Sequence, residues 1–160
     1  MTTALNNRPG HAHPDFARKL LEAEGRLWVS VATQSMTPLL RPGDRVEVQL
    51  CAPLVLAPGD IIAIDDGERL LIHRLVLFAP GHFITKGDAL PQPDVPQSSP
   101  AVLGRVTAVE HGETVRHVGG GWVSALLARY SLFLTRFRLP SSGVVWRFTR
   151  IPFYLLTRFE

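Results

Sequence analysis

Leu27-Trp28-Val29-Ser30-Val31-Ala32-Thr33-Gln34-Ser35-Met36-Thr37-Pro38 is the stretch around which the chain is organised. Residues 27–32 alternate bulky and small side chains, the pattern of a half-buried strand. The alternation ends at Thr33, and Pro38 and then Arg41-Pro42-Gly43-Asp44 force a turn. Ser35 therefore stands just past a strand end, where neighbours fix the backbone and the side chain can reach a cleft. A serine in such a place often does no more than cap a turn, so its meaning depends on what the rest of the chain supplies.

Outward from this stretch the chain reads mostly as strands. Val46 to Leu50 alternates cleanly, Asp60 to Ile64 is a short apolar run, and Arg69 to Phe78 is a longer one. Pro80-Gly81 turns that run into His82 to Thr85, a hairpin signature. Residues 89–100 hold four prolines and read as a loop, and Leu103 to Val118 returns to strand character with a break near Gly112. Ahead of the first strand, Phe16, Leu20 and Leu21 have helical spacing between a possible N-cap at Asp15 and a stop at Gly25. Residues 1–14 read as a disordered tail. His11 and His13 are spaced as metal ligands are, but no carboxylate or cysteine cluster accompanies them, and no metal or cofactor is expected. The fold class is mainly β, with a short N-terminal helix and a C-terminal helical segment.

With 160 residues, the chain can bury roughly 70% of its unfolded surface, and its 46% hydrophobic content excludes global disorder. Cys51 is the single cysteine, so no internal disulfide can form, and it reads as a small core residue. The N-terminal fifteen residues lack the apolar segment of a secretory signal, and no run of 18 uncharged apolar residues marks a membrane span. The expectation is a cytoplasmic or peripherally membrane-associated protein.

Charge is unevenly spread. Residues 1–115 hold 10 Lys and Arg against 13 Asp and Glu, whereas residues 116–160 hold seven arginines and one acid, Glu160. After Gly119-Gly120-Gly121 the period becomes helical: Trp122, Ala125, Leu126, Tyr130, Phe133, Leu134 and Phe137 fit a helix with arginines at 129, 136 and 138. A second helical segment is expected over Val144 to Phe159. Aromatics and arginines almost without acids suit an amphipathic segment on an anionic membrane surface; packing on the protein body or a partner is the alternative. A nucleic-acid interface is not expected, because the arginines alternate with large apolar side chains instead of forming a basic stripe.

Chemistry-bearing residues follow Ser35 in a telling order. His73 lies in the Ile72-His73-Arg74 run, Asp88 follows a strand directly, and Asp94 comes six residues later. Serine, histidine and aspartate are the nucleophile, base and base-orienter of acyl transfer. His73 is the natural base, because imidazole titrates near 6.5. Each residue has a plainer reading: a core histidine, a turn-stabilising carboxylate. Asp44 and Asp60, each after a glycine, read as turn-stabilising only.

Six short motifs occur in sequence: Ser35-Met36-Thr37-Pro38, Arg41-Pro42-Gly43-Asp44, Pro58-Gly59-Asp60-Ile61-Ile62, Ile72-His73-Arg74, Ile84-Thr85-Lys86-Gly87-Asp88 and Leu103-Gly104-Arg105-Val106. This series, over roughly residues 26–110, resembles the type I signal peptidases, in the branch where histidine replaces the general-base lysine. The resemblance implies a β-fold shared with repressor C-terminal domains, with a peptidase domain over residues 15–118 and a basic amphipathic tail over 119–160. It implies a serine endopeptidase in which Ser35 attacks, His73 is the base and Asp88, or alternatively Asp94, orients it. Thr33, two residues before the serine, would supply an oxyanion donor. Met36 and Pro38 would line the substrate cleft. The substrate would be an extended peptide with small side chains at the first and third positions before the cut. The chain departs from the family twice. Gln34 stands where glycine is usual, and the usual N-terminal membrane anchor is missing, which points to a dedicated substrate such as a leader peptide. A non-catalytic peptide-binding module on the same fold is the second expectation. A self-cleaving repressor relative ranks last, since residues 1–25 are too short for a DNA-binding domain.

Overall fold

The computed structural model of the chain describes residues 13–79, 81–135 and 151–156. The tail expected over residues 1–14 lies outside them except for His13 and Pro14. The helical segment expected over 144–159 lies outside them except for residues 151–156.

Among the described residues eight strands form one antiparallel sheet: β1 (Arg26–Ser30), β2 (Arg45–Gln49), β3 (Ile61–Asp65), β4 (Leu70–Ala79), β5 (His82–Lys86), β6 (Gln97–Ser98), β7 (Val102–His111) and β8 (Thr114–His117). Their order is β1-β2-β7-β3-β4-β5-β6, with β8 also on β7. Register shifts at Glu47/Val48, Ala63/Ile64 and Leu75/Leu77 mark bulges, which raise the local twist and curl the sheet. The middle of the chain reads as strand because β-branched residues fit a pleated, buried surface. β3 shows this most plainly. Ile61, Ile62, Ala63 and Ile64 are all fully buried. Successive side chains point to opposite faces, so Ile61 and Ala63 join one core cluster and Ile62 and Ile64 the other. Truncating one of these isoleucines to Ala costs about 2–5 kcal/mol.

The first core is closed by α1 (Pro14–Glu24), which brings Ala17 and Leu21 onto Val46, Val48 and Val106. The helix begins two residues earlier than an N-cap at Asp15 implies. His13 is the N-cap without a side-chain cap, and Pro14 takes the first helical position, where its missing N–H costs nothing. Asp15 is instead a first-turn acid, favourable to the helix dipole. Phe16, expected on the inner face, is exposed. Gly25 ends the helix in the left-handed region, its N–H donating to the Leu21 carbonyl.

At the other end, α2 (Gly121–Thr135) follows the three glycines and lies against β4. Its small and aliphatic residues face inward. Val123, Ser124, Leu127, Ala128, Ser131 and Leu134 are buried, whereas Trp122, Leu126 and Phe133 are exposed. The cause is close backbone approach. A Cβ on Gly59 would stand 2.6 Å from the Ser124 carbonyl carbon, so the helix seats its small residues there. A short α3 (Ile151–Leu156) packs Phe153 against Tyr130, ring centroids 5.7 Å apart. Among the described residues no helix is long and apolar enough to cross a membrane.

Candidate active site

Ser35 sits on a turn that the core holds from both sides. After β1 the chain is pinned to the start of β2, where Val31 N–H donates to the Asp44 carbonyl and Gly43 N–H to the Val31 carbonyl. The Gln34 carbonyl accepts both the N–H and the hydroxyl of Thr37, closing the turn. Met36 and Leu40, both buried, plug it into the first core. A second turn docks on it. Ala89 N–H donates to the Ser35 carbonyl at 2.8 Å, and a Cβ on Gly87 would come within 2.7 Å of that same oxygen. The backbone of the serine is thus fixed while its side chain stays half-exposed.

His73 is buried on β4. Its Nδ1 lies 2.6 Å from Asp94 Oδ2. A carboxylate can only accept, so Nδ1 carries the hydrogen, and in the neutral ring the lone pair is then on Nε2. The same Asp94 oxygen accepts the Thr85 hydroxyl at 2.7 Å, and Asp94 N–H donates to the Thr85 carbonyl. Thr85 on β5 thereby holds Asp94 by main chain and side chain together. His73 Nε2 is buried and has no hydrogen-bond partner.

The aspartate that meets His73 is Asp94 and not Asp88, which the sequence favours. Both Asp88 oxygens are already taken. Arg74 donates to them from Nε at 2.9 Å and Nη2 at 2.8 Å, both side chains are fully buried, and Arg74 Nη1 donates to the Gly59 carbonyl. The physical reason is sheet register. Arg74 pairs with Lys86 across β4 and β5, which sets the residue after Gly87 beside the arginine. The ion pair ties the strand of His73 to the turn that grips Ser35.

One cavity of about 570 Å³ brings the serine, histidine and aspartate together. Thr33, Ser35, Met36, His73 and Asp94 line it. Ser35 Oγ does not bond His73; it pairs with Thr33 Oγ1 at 3.1 Å. Met36 serves as both core and lining. Pro38, expected in the cleft, is not part of the lining, because the turn carries it past Met36 and away from the cavity. Asp66 and Arg69 stand at the rim, joined by an ion pair at 3.2 Å. Burial works to raise the Asp66 carboxyl, but the N–H groups of Arg69 and Glu68 and the Arg69 guanidinium outweigh it and hold the group below its ordinary value.

The two long walls are open strand edges. Among the described residues β1 pairs only with β2. Val31 spends its main-chain groups on the β2 side, so by alternation those of Ser30 and Ala32 face outward. On β4, pairing with β5 begins only at Arg74, leaving Leu70 and Ile72 with no partner strand opposite β3 among the described residues. Residues 29–33 and 69–73 both line the cavity. An extended peptide can add its main chain to either edge.

Thr85 and the gripping turn at Gly87–Ala89 are the parts that sequence reasoning missed; Thr85 lies inside the Ile84–Asp88 motif but carries no signal of its partner. Asp44 and Asp60 do stabilise turns, accepting from Arg41 N–H and Ala57 N–H. Among the described residues no three His, Cys, Asp or Glu side chains converge as a metal cage requires. No protein-family model matches the chain, and no curated protein matches it.

Proposed function

We propose that the chain is a serine endopeptidase of the signal-peptidase type, built on the β-fold of those enzymes and of repressor C-terminal domains. One observation carries this reading: His73 Nε2 is buried, unpartnered and in the wall of the cavity that also holds Ser35. A buried polar atom left without a partner costs about 1–3 kcal/mol and is rare. A base awaiting the proton of a nucleophile explains it. The serine turn after the first strand, the histidine strand and the open edges support the fold assignment.

The peptide lies along the β1 and β4 edges with its scissile carbonyl over Ser35. The Ser35 hydroxyl leaves Thr33, passes its proton to His73 Nε2, and Oγ bonds the carbonyl carbon. The oxyanion is met by the Ser35 N–H and by the Thr33 hydroxyl, which is released from Ser35 in the same movement. Asp94 stabilises the imidazolium. His73 then gives its proton to the leaving amine as the C–N bond breaks. Water, deprotonated by His73, opens the acyl-enzyme, and the proton returns to Ser35. Small side chains at the first and third positions before the cut and a dedicated leader peptide remain the favoured substrate features.

A serine-directed fluorophosphonate tests this. Labelling of the folded protein at Ser35, abolished in Ser35→Ala and strongly slowed in His73→Ala, is the expected result. A folded wild-type protein that takes no label, or takes it at another residue, overturns the proposal. The missing Ser35–His73 hydrogen bond favours a second reading, a module that binds peptides without cutting them. Recovery of a bound peptide intact, together with no labelling, would select it.

A further inference from the structure

We propose that α2 is a membrane-docking helix that lays its outer stripe on an anionic lipid surface. The inference stands apart from the peptidase reading. Between Trp122 and Thr135 the only charged residue is Arg129. A helix this apolar on all sides needs cover on all sides, yet its outer face stays largely exposed. The face of Val123, Leu127, Ala128 and Leu134 is buried, while Trp122 is 73% exposed, Leu126 43% and Phe133 54%. Trp122, Leu126, Arg129 and Phe133 fall at helical intervals of four, three and four, so they form one line along the axis. Beyond it, α3 adds Ile151 and Leu155, both exposed.

Attachment and charge choose the occupant. The fifteen described residues of α2 span about 22 Å, and their inner face is fixed to β4. With that side held by the body, the outer stripe meets lipid by lying in the plane of an interface. Tryptophan and arginine among aliphatic side chains are the residues that sit at headgroup level. From residue 116 onward seven arginines face a single acid, whereas residues 1–115 are net negative. A second copy seated on the stripe would set Arg129 against its own kind with no acid to answer it. Anionic headgroups supply the missing charge and repel the acidic body, which orients the molecule with α2 down.

The full chain is sedimented with vesicles of phosphatidylcholine alone and of phosphatidylcholine with phosphatidylglycerol. Binding to the anionic vesicles is expected, weakened about tenfold or more in Leu126→Glu and in Arg129→Glu, and unchanged in Ser35→Ala. Circular dichroism and the melting temperature establish that each variant is folded. Folded wild type that ignores anionic vesicles overturns the proposal. So does a dimer in solution that Leu126→Glu dissociates, which would give the stripe to a second copy, and so does binding that both substitutions leave intact.

Discussion

His73 Nδ1 and Asp94 Oδ2 meet at 2.6 Å although 21 residues separate them in the chain. The contact is made by a loop that leaves β5 at Lys86, grips the serine turn, and returns to Thr85. Its consequence is that two aspartates six residues apart have different duties.

Asp94→Asn keeps the shape but lets the amide donate to Nδ1, favouring the wrong tautomer. Turnover, or the rate of fluorophosphonate labelling, falls by about 10³–10⁴-fold with little change in melting temperature. Asp88→Asn removes the carboxylate charge that buried Arg74 grips with two hydrogen bonds and costs about 3–5 kcal/mol in denaturant unfolding. Equal loss of stability in both variants would refute this division.

Thr33→Val removes the hydroxyl that pairs with Ser35 and, in the mechanism proposed, stabilises the oxyanion. The cleavage rate drops about 10²–10³-fold, while Thr33→Ser retains most of it. Steady-state kinetics on a peptide substrate distinguish the two, the loss appearing in kcat.

Gly87→Ala puts a methyl group against the Ser35 carbonyl, where 2.7 Å is available. The turn must retreat, which costs about 1–3 kcal/mol and breaks the Ala89 hydrogen bond. Labelling at Ser35 slows even at temperatures where the variant is fully folded; unchanged labelling would show that the second turn does not position the nucleophile.

Asp66 has its carboxyl held low by the N–H donors of Arg69 and Glu68, against the opposing effect of burial. A lowered folded-state value means that the stabilisation is complete above the ordinary carboxylate range and fades as pH falls through the folded-state value. The melting temperatures of wild type and Asp66→Asn therefore differ at neutral pH and converge in strong acid. A gap that persists there would contradict the assignment.

Much of this was legible in the sequence because it is local. Alternation in residues 27–32 and 46–50, the hairpin of β4 and β5 and the histidine before Arg74 each speak through neighbours in the chain. What was not legible depends on register. Nothing near Asp88 reveals that Arg74 lies across from Lys86 and claims both carboxylate oxygens, nor that Thr85 waits for Asp94. Which face of α2 packs on the body was not legible for a related reason. Its hydrophobicity hardly varies around the helix, so Gly59, some sixty residues earlier, decides which side is turned in. Pro38 adjoins the serine in sequence, but the turn places it behind.

The outward main-chain groups of Ser30, Ala32, Leu70 and Ile72 give the cleft a way to hold a ligand whatever its side chains are. Blocking single amides of a bound peptide by N-methylation should then weaken it at every second residue and spare those between. An inhibitor for this cleft is best drawn as a stretched, hydrogen-bonding ribbon with a small group over the serine.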